Sequence, residues 1–123
     1  MANAESRKRL DLPERLLEFA CAVVRFGNRV RVGAAGRYTA SQLMRAAASA
    51  GANYREACAA ESRADFVHKS QVVLKELREA EYWLELMRRT ALVPAAAVAP
   101  LAKEADELIR IMVKSVVTAK SKQ

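Results

Sequence analysis

The fold class this sequence predicts is all-α, an antiparallel up-down-up-down four-helix bundle, and three observations predict it. Composition favours helix almost everywhere: 52% of the 123 residues are apolar, while only four are Gly and three are Pro. Four stretches carry apolar residues at helical spacing, and none alternates with the period of two that a half-buried strand needs. Three helix-start signals, Asp11-x-x-Glu14, Thr39-x-x-Gln42 and Ser62-x-x-Asp65, divide those stretches and leave short connections between them. The length suits one domain with one core. Residues 1–11 read as a flexible basic leader containing Arg7-Lys8-Arg9, and residues 12–120 as the bundle.

Asp11 opens the first helix. Its carboxylate can accept from the first-turn amides, Pro13 stands where a missing N–H does no harm, and Glu14 completes the box. Leu12, Leu16, Phe19, Val23 and Val30 form the core stripe, and Gly27-Asn28 loosens the last turns. Gly33 and Gly36 mark a loop, so Thr39 and Gln42 start the second helix. Its inward stripe is Leu43, Ala47, Ala50, Tyr54 and Cys58. A second stripe, turned by about one residue, carries Gln42, Arg45, Ser49, Asn53 and Glu56.

The run from Ser49 to Ala57 is the densest in small residues, so another helix can come close there, although Gly51 costs about 1 kcal/mol of helix propensity. Ser62 with Asp65 opens the third helix, which spans about Arg63 to Arg89 and about 40 Å. Phe66, Val73, Leu77, Leu84 and Met87 are its core residues. Beside them runs Val72, Glu76, Glu79, Trp83 and Leu86. A monomeric bundle does not need this second apolar stripe, so Val72, Trp83 and Leu86 are the expected oligomer interface. The last helix begins either at Ala95 or near Pro100, and its stripe is Leu101, Ala105, Leu108, Met112 and Val116.

No apolar run reaches the length of a membrane span, and the first twelve residues are too polar for a signal peptide. Cys21 and Cys58 stand alone, without metal-ligand spacing, and read as small core hydrophobes in a reducing compartment. A cytoplasmic setting is the expectation. There is no P-loop, dinucleotide-binding turn or nucleophile elbow. A di-iron bundle needs two Glu-x-x-His pairs, whereas this chain has one histidine, in Asp65-Phe66-Val67-His68. A non-enzymatic protein without metal or cofactor is expected.

The residues Gly36-Arg37-Tyr38, Ser49 to Ala57, Glu61 to Phe66 and Leu74 to Leu86 together resemble the bacterial four-helix bundle proteins, also called the 23S rRNA intervening-sequence protein family. Glu104 to Leu108 with Lys114-Ser115 is similar to that family's last helix, and the likeness extends from Leu12 to Lys120. The resemblance implies the bundle fold and a ring-like homopentamer. It also implies a relation to the accessory proteins of diversity-generating retroelements, which are basic pentamers that bind nucleic acid and a reverse transcriptase. No enzymatic activity attaches to it.

The formal net charge is +7, and Glu61 to Val93 is balanced with six basic and six acidic residues, so the excess lies elsewhere. Arg25, Arg29 and Arg31 close the first helix, Arg37 follows across the loop, and Lys114 lies in the last helix. These five are the candidate nucleic-acid contacts. Arg45, Asn53, Arg55, Glu56, Glu76 and Glu79 adjoin the core and are expected to form a structural polar network, because a buried polar group without a partner is costly. Trp83, Tyr82 and Phe66 read as core or interface anchors rather than base-stacking platforms, because they lack basic neighbours on a strand or open groove. The expected function is an oligomeric binding module for RNA or DNA, in a nucleoprotein or with a protein partner. The alternative is a protein–protein interaction scaffold whose charge serves only solubility.

Overall fold

The computed structural model describes residues 5, 9–30 and 33–122. Among them there are four long helices and no strand: α1 (Leu12–Arg29), α2 (Gly33–Cys58), α3 (Arg63–Arg89) and α4 (Ala95–Ser121). Short connections reverse the direction at each step, and each helix packs only on its two ring neighbours, α1 on α2 and α4, and α3 on α2 and α4. This is the antiparallel four-helix bundle. The α1–α4 seam is the most sparsely packed of the four.

Local signals set most boundaries. The Asp11 carboxylate accepts from the Glu14 amide at 3.2 Å, and the Ser62 hydroxyl accepts from the Asp65 amide at 3.1 Å. At the end of α3 the Leu92 amide donates to the Met87 carbonyl and the Ala91 amide to Arg88. Ala91 has a φ of 54°, so the cap is of the left-handed type that usually takes glycine. Leu92 then folds back against the core.

The start of α2 differs from the sequence expectation. The helix begins at Gly33, whose φ of 64° suits glycine, and not at Thr39. Gly36 is buried within the helix, and the Thr39 hydroxyl donates to the Ala35 and Gly36 carbonyls at 2.8 and 3.2 Å. Thr can bond one turn back inside a helix as readily as it caps one, so the pattern alone does not separate the two. Gln42 lies mid-helix and accepts from Arg45. The start of α4 is Ala95, with Pro94 in the capping position and Pro100 inside the helix.

The core is one layer stack: Leu16, Phe19 and Val23 from α1, Leu43, Ala46, Ala47 and Ala50 from α2, Val73, Leu77 and Leu84 from α3, and Leu101, Leu108 and Met112 from α4. Three expected core positions are displaced. Phe66 is half-buried and Val67 points inward in its place. Cys58 is exposed and Ala57 is buried, while Cys21 is half-buried, so both thiols are free and neither is a core hydrophobe. Around Tyr54, burial and the neighbouring Cys58 push the phenol above its ordinary pKa.

The close approach expected at Gly51 is real but moderate. A Cβ there would lie 3.7 Å from the Leu16 carbonyl oxygen, an ordinary contact with the α1 backbone. The tighter site is Gly27, buried in α1, where a Cβ would meet the Met44 Sδ at 2.7 Å. Gly51→Ala is therefore expected to keep or slightly raise the melting temperature, since it restricts the unfolded chain by about 0.4–1 kcal/mol. Gly51→Leu is expected to lower stability by about 1–3 kcal/mol, because atoms beyond the Cβ would press on Leu16 of α1. Thermal unfolding followed by circular dichroism checks both, and an unchanged midpoint for the Leu variant contradicts the account.

Candidate nucleic-acid interface

The antiparallel topology sorts the candidate cations to two ends of the bundle. Arg25 and Arg29, on the last turns of α1, lie beside Ala97 and Pro100 at the start of α4. Arg37, on the first turns of α2, occupies the same end. Lys114 is at the other end, beside Arg63 at the start of α3 and Lys122 at the end of α4. The four described candidates therefore do not form one patch. Arg31 lies outside the described residues, as do Arg7 and Lys8. Arg25, Arg29, Arg37 and Lys114 are exposed, and none has an ion-pair partner among the described residues.

At the Arg25 end a cleft of about 190 Å³ opens along the α1–α4 seam. Phe19, Phe26, Leu101 and Pro100 line it, and Arg25 and Arg29 sit among its walls. The third helix contributes less charge to that end than its sequence suggests. Arg88 and Arg89 both close on Glu85, at 2.7 and 2.9 Å, one helical turn away. These hydrogen bonds, Arg88 first and Arg89 second, hold the Glu85 carboxyl at about 2.

The polar stripe resolves into separate pairs. Arg45 reaches across the α2–α3 seam to Glu76 at 3.1 Å and also to Glu79. The Glu79 hydrogen bond, and then the neighbouring charges, keep its guanidinium more basic than usual. Arg55 turns the opposite way and donates to Glu14 on α1 at 3.1 Å. Glu56 faces Lys69 at 3.9 Å, and Asn53 bonds the Ser49 carbonyl and hydroxyl within its own helix. No single network links the six. Helix rotation places 45, 76 and 79 on one seam and 55 on another.

The most buried charges went unrecognised in the sequence. Arg15 on α1 donates through Nε and Nη2 to the two oxygens of Glu104 on α4, at 2.9 and 2.8 Å, and through Nη2 to Glu107 at 3.1 Å. The Arg15 and Glu104 side chains are 9% and 6% exposed. The Glu104 hydrogen bond outweighs burial and raises the Arg15 pKa. A signal was present. Arg15 precedes Phe19 by four residues and Glu104 precedes Leu108 by four, so each charge occupies a core-facing register on helices that a four-membered ring makes neighbours.

Val72, Trp83 and Leu86 are half-buried on the stripe of α3 that carries Glu76 and Glu79 along the α2–α3 seam, and Trp83 packs against the core. Tyr38 and Tyr82, 59% and 60% exposed, stand edge-on to the Trp83 ring with centroids at 5.7 and 5.2 Å. The Trp83 indole nitrogen is covered and has no hydrogen-bond partner, as is also true of the Ser70 hydroxyl.

Among the described residues no group of three His, Cys, Asp or Glu side chains is placed to hold a metal, and no helix is long and apolar enough to cross a membrane. His68 is exposed on α3.

Comparison with known proteins agrees with this architecture. A protein of unknown function from the S23 ribosomal protein family of Bacteroides thetaiotaomicron has a similar solved structure, with a TM-score of 0.81. It is 32% identical, over 86% of this chain and 98% of that one. No curated protein matches. The family model described as 23S rRNA-intervening sequence protein matches residues 8–114. With most of its length matched in this way, the chain belongs to the 23S rRNA-intervening sequence protein family.

Proposed function

We propose that this protein is a non-enzymatic, oligomeric binding module that holds nucleic acid through exposed basic residues at the two ends of its bundle. The carrying observation is the electrostatic division of the surface. Acidic partners engage Arg15, Arg45, Arg55, Arg88 and Arg89, whereas Arg25, Arg29, Arg37 and Lys114 are left exposed without ion pairs among the described residues. Unpaired guanidinium and ammonium groups suit phosphates, and binding of this kind is largely independent of sequence.

A homopentamer fits the reading. The half-buried Val72, Trp83 and Leu86 with the exposed Tyr38 and Tyr82 supply an apolar face for a second copy, and a ring multiplies each basic end through effective concentration. A cytoplasmic nucleoprotein is the setting that such a module suits, as is a relation to the retroelement accessory proteins, which share its basic character.

Fluorescence anisotropy with labelled 20-nucleotide RNA and DNA at several salt concentrations tests the proposal. Affinity should fall steeply with salt and to a similar degree for unrelated sequences, because each neutralised phosphate releases counterions. The triple variant Arg25→Gln/Arg29→Gln/Lys114→Gln should flatten the slope without loss of helicity. Absence of binding to any oligonucleotide in low salt overturns the proposal and favours a protein scaffold. Light scattering on the same sample tests the ring, and the mass of a single chain overturns it.

A further inference from the structure

Phe66 has basic surroundings that its sequence neighbourhood reveals only in part, at Arg63. At the start of α3 and the end of α4 an open groove of about 400 Å³ is lined by Arg63, Phe66, Ile111, Lys114, Ser115 and Lys122, with Thr118 and Ala119 completing it. A second depression of about 440 Å³ continues past the same Phe66, Arg63 and Ala119 to Ala60, Glu61 and Ser62. The ring is half-buried because Val67, one position on, takes the inward register, which leaves Phe66 at the groove wall. Arg63, Lys114 and Lys122 are exposed and have no ion-pair partner among the described residues, and Ile111 presents apolar surface beside them. Glu61 is the acid at the margin, and no ion pair joins it to the three cations.

The geometry points to this groove as a binding site for single-stranded nucleic acid, with an unpaired base against Phe66 and Ile111 and the flanking phosphates on Arg63, Lys114 and Lys122. The inference rests on the nucleic-acid reading above and narrows it to one end of the bundle and one class of strand. A duplex keeps its bases stacked on each other and can offer the groove only phosphates. A single strand offers a π-face as well, and stacking on an aromatic ring is tolerant of sequence because every base has one. The Ser115 and Thr118 hydroxyls add donors suited to phosphate or base edges. The opposite end differs in kind. Arg25 and Arg29 flank a cleft less than half the size, in which Phe19 and Phe26 are both buried, so it offers cations without an accessible ring.

Three fluorescent 12-mers separate the terms in low salt: single-stranded oligo-dT, an abasic oligomer of equal length and charge, and oligo-dT paired with its complement. Wild-type protein is expected to bind oligo-dT about ten-fold more tightly than the abasic strand, in line with the stacking contribution of one base, and more tightly than the duplex. Phe66→Leu retains an apolar side chain and removes the ring, so it should bring oligo-dT to the abasic affinity while leaving the abasic affinity unchanged. Lys114→Gln/Lys122→Gln should weaken all three strands, and Arg25→Gln/Arg29→Gln should leave the oligo-dT preference intact. Equal binding of oligo-dT and the abasic strand by the wild type, or a preference that survives Phe66→Leu, overturns the base-stacking inference while electrostatic binding stands. Failure to bind any of the three overturns both.

Discussion

Arg15→Met is expected to destabilise the bundle by about 3–5 kcal/mol, the cost of removing one member of a buried ion pair. Glu104 lies at the α1–α4 seam with both carboxylate oxygens held by the Arg15 guanidinium, and the sulfur and methylenes of Met supply no donor in its place. Glu107 loses the same partner, but it is 30% exposed and can turn to water. Urea denaturation at neutral pH measures the loss. Arg15→Met/Glu104→Leu should recover much of it, because apolar side chains of similar volume often replace a buried ion pair without penalty. A single variant that loses less than about 1 kcal/mol would mean that Glu104 does not depend on Arg15 for its burial. Recovery in the double variant would separate the cost of the broken ion pair from damage to packing.

Phe19→Ala should cost a similar amount, about 3–5 kcal/mol, for a different reason. The ring is 1% exposed and packs where α1 meets the rest of the core. Its removal leaves a void that the rigid α1 backbone cannot close. The site borders the existing cleft beside Phe26 and Leu101, so the lost volume would join a space that already weakens the seam. Tyr82→Ala, at an exposed aromatic, is the control and should cost no more than about 1.5 kcal/mol, the value of its edge-on contact with Trp83. Calorimetric melting of both variants distinguishes burial from ring contact. Equal losses would show that Phe19 contributes no more than a surface aromatic.

Much of the candidate interface was legible as composition and little of it as geometry. The charge surplus outside Glu61 to Val93 could be counted directly. Its division into two ends could not, because Lys114 is distant in sequence from both Arg25 and its true neighbour Arg63. Phe66 shows the same gap. Adjacent in sequence to Val67, it belongs to the core or to a groove according to a rotation of about 100° about the helix axis, and the apolar pattern accommodates either. Arg45 with Glu76 and Glu79 was anticipated because all three lie on stripes flanking the core. Glu56 lies on the same α2 stripe as Arg45 and Arg55 lies beside it, yet they pair with Lys69 and Glu14 on two different helices.

By itself the sequence determined the four helices, two of the caps, the apolar registers of α1 and α4, and with them the bundle. These follow from local hydrogen bonding at Asp11 and Ser62 and from a period of 3.6, both of which act within a few residues. Only the tertiary structure decided whether Thr39 caps α2 or bonds within it, which glycine meets a neighbour closely, and which charges are buried together. Each depends on the rotation and height of one helix against another. A shift of one residue carries a side chain through 100°, so Gly27 meets Met44, Arg15 meets Glu104, and Phe66 turns from the core to a groove that it shares with Lys114 and Lys122 from the other end of the chain.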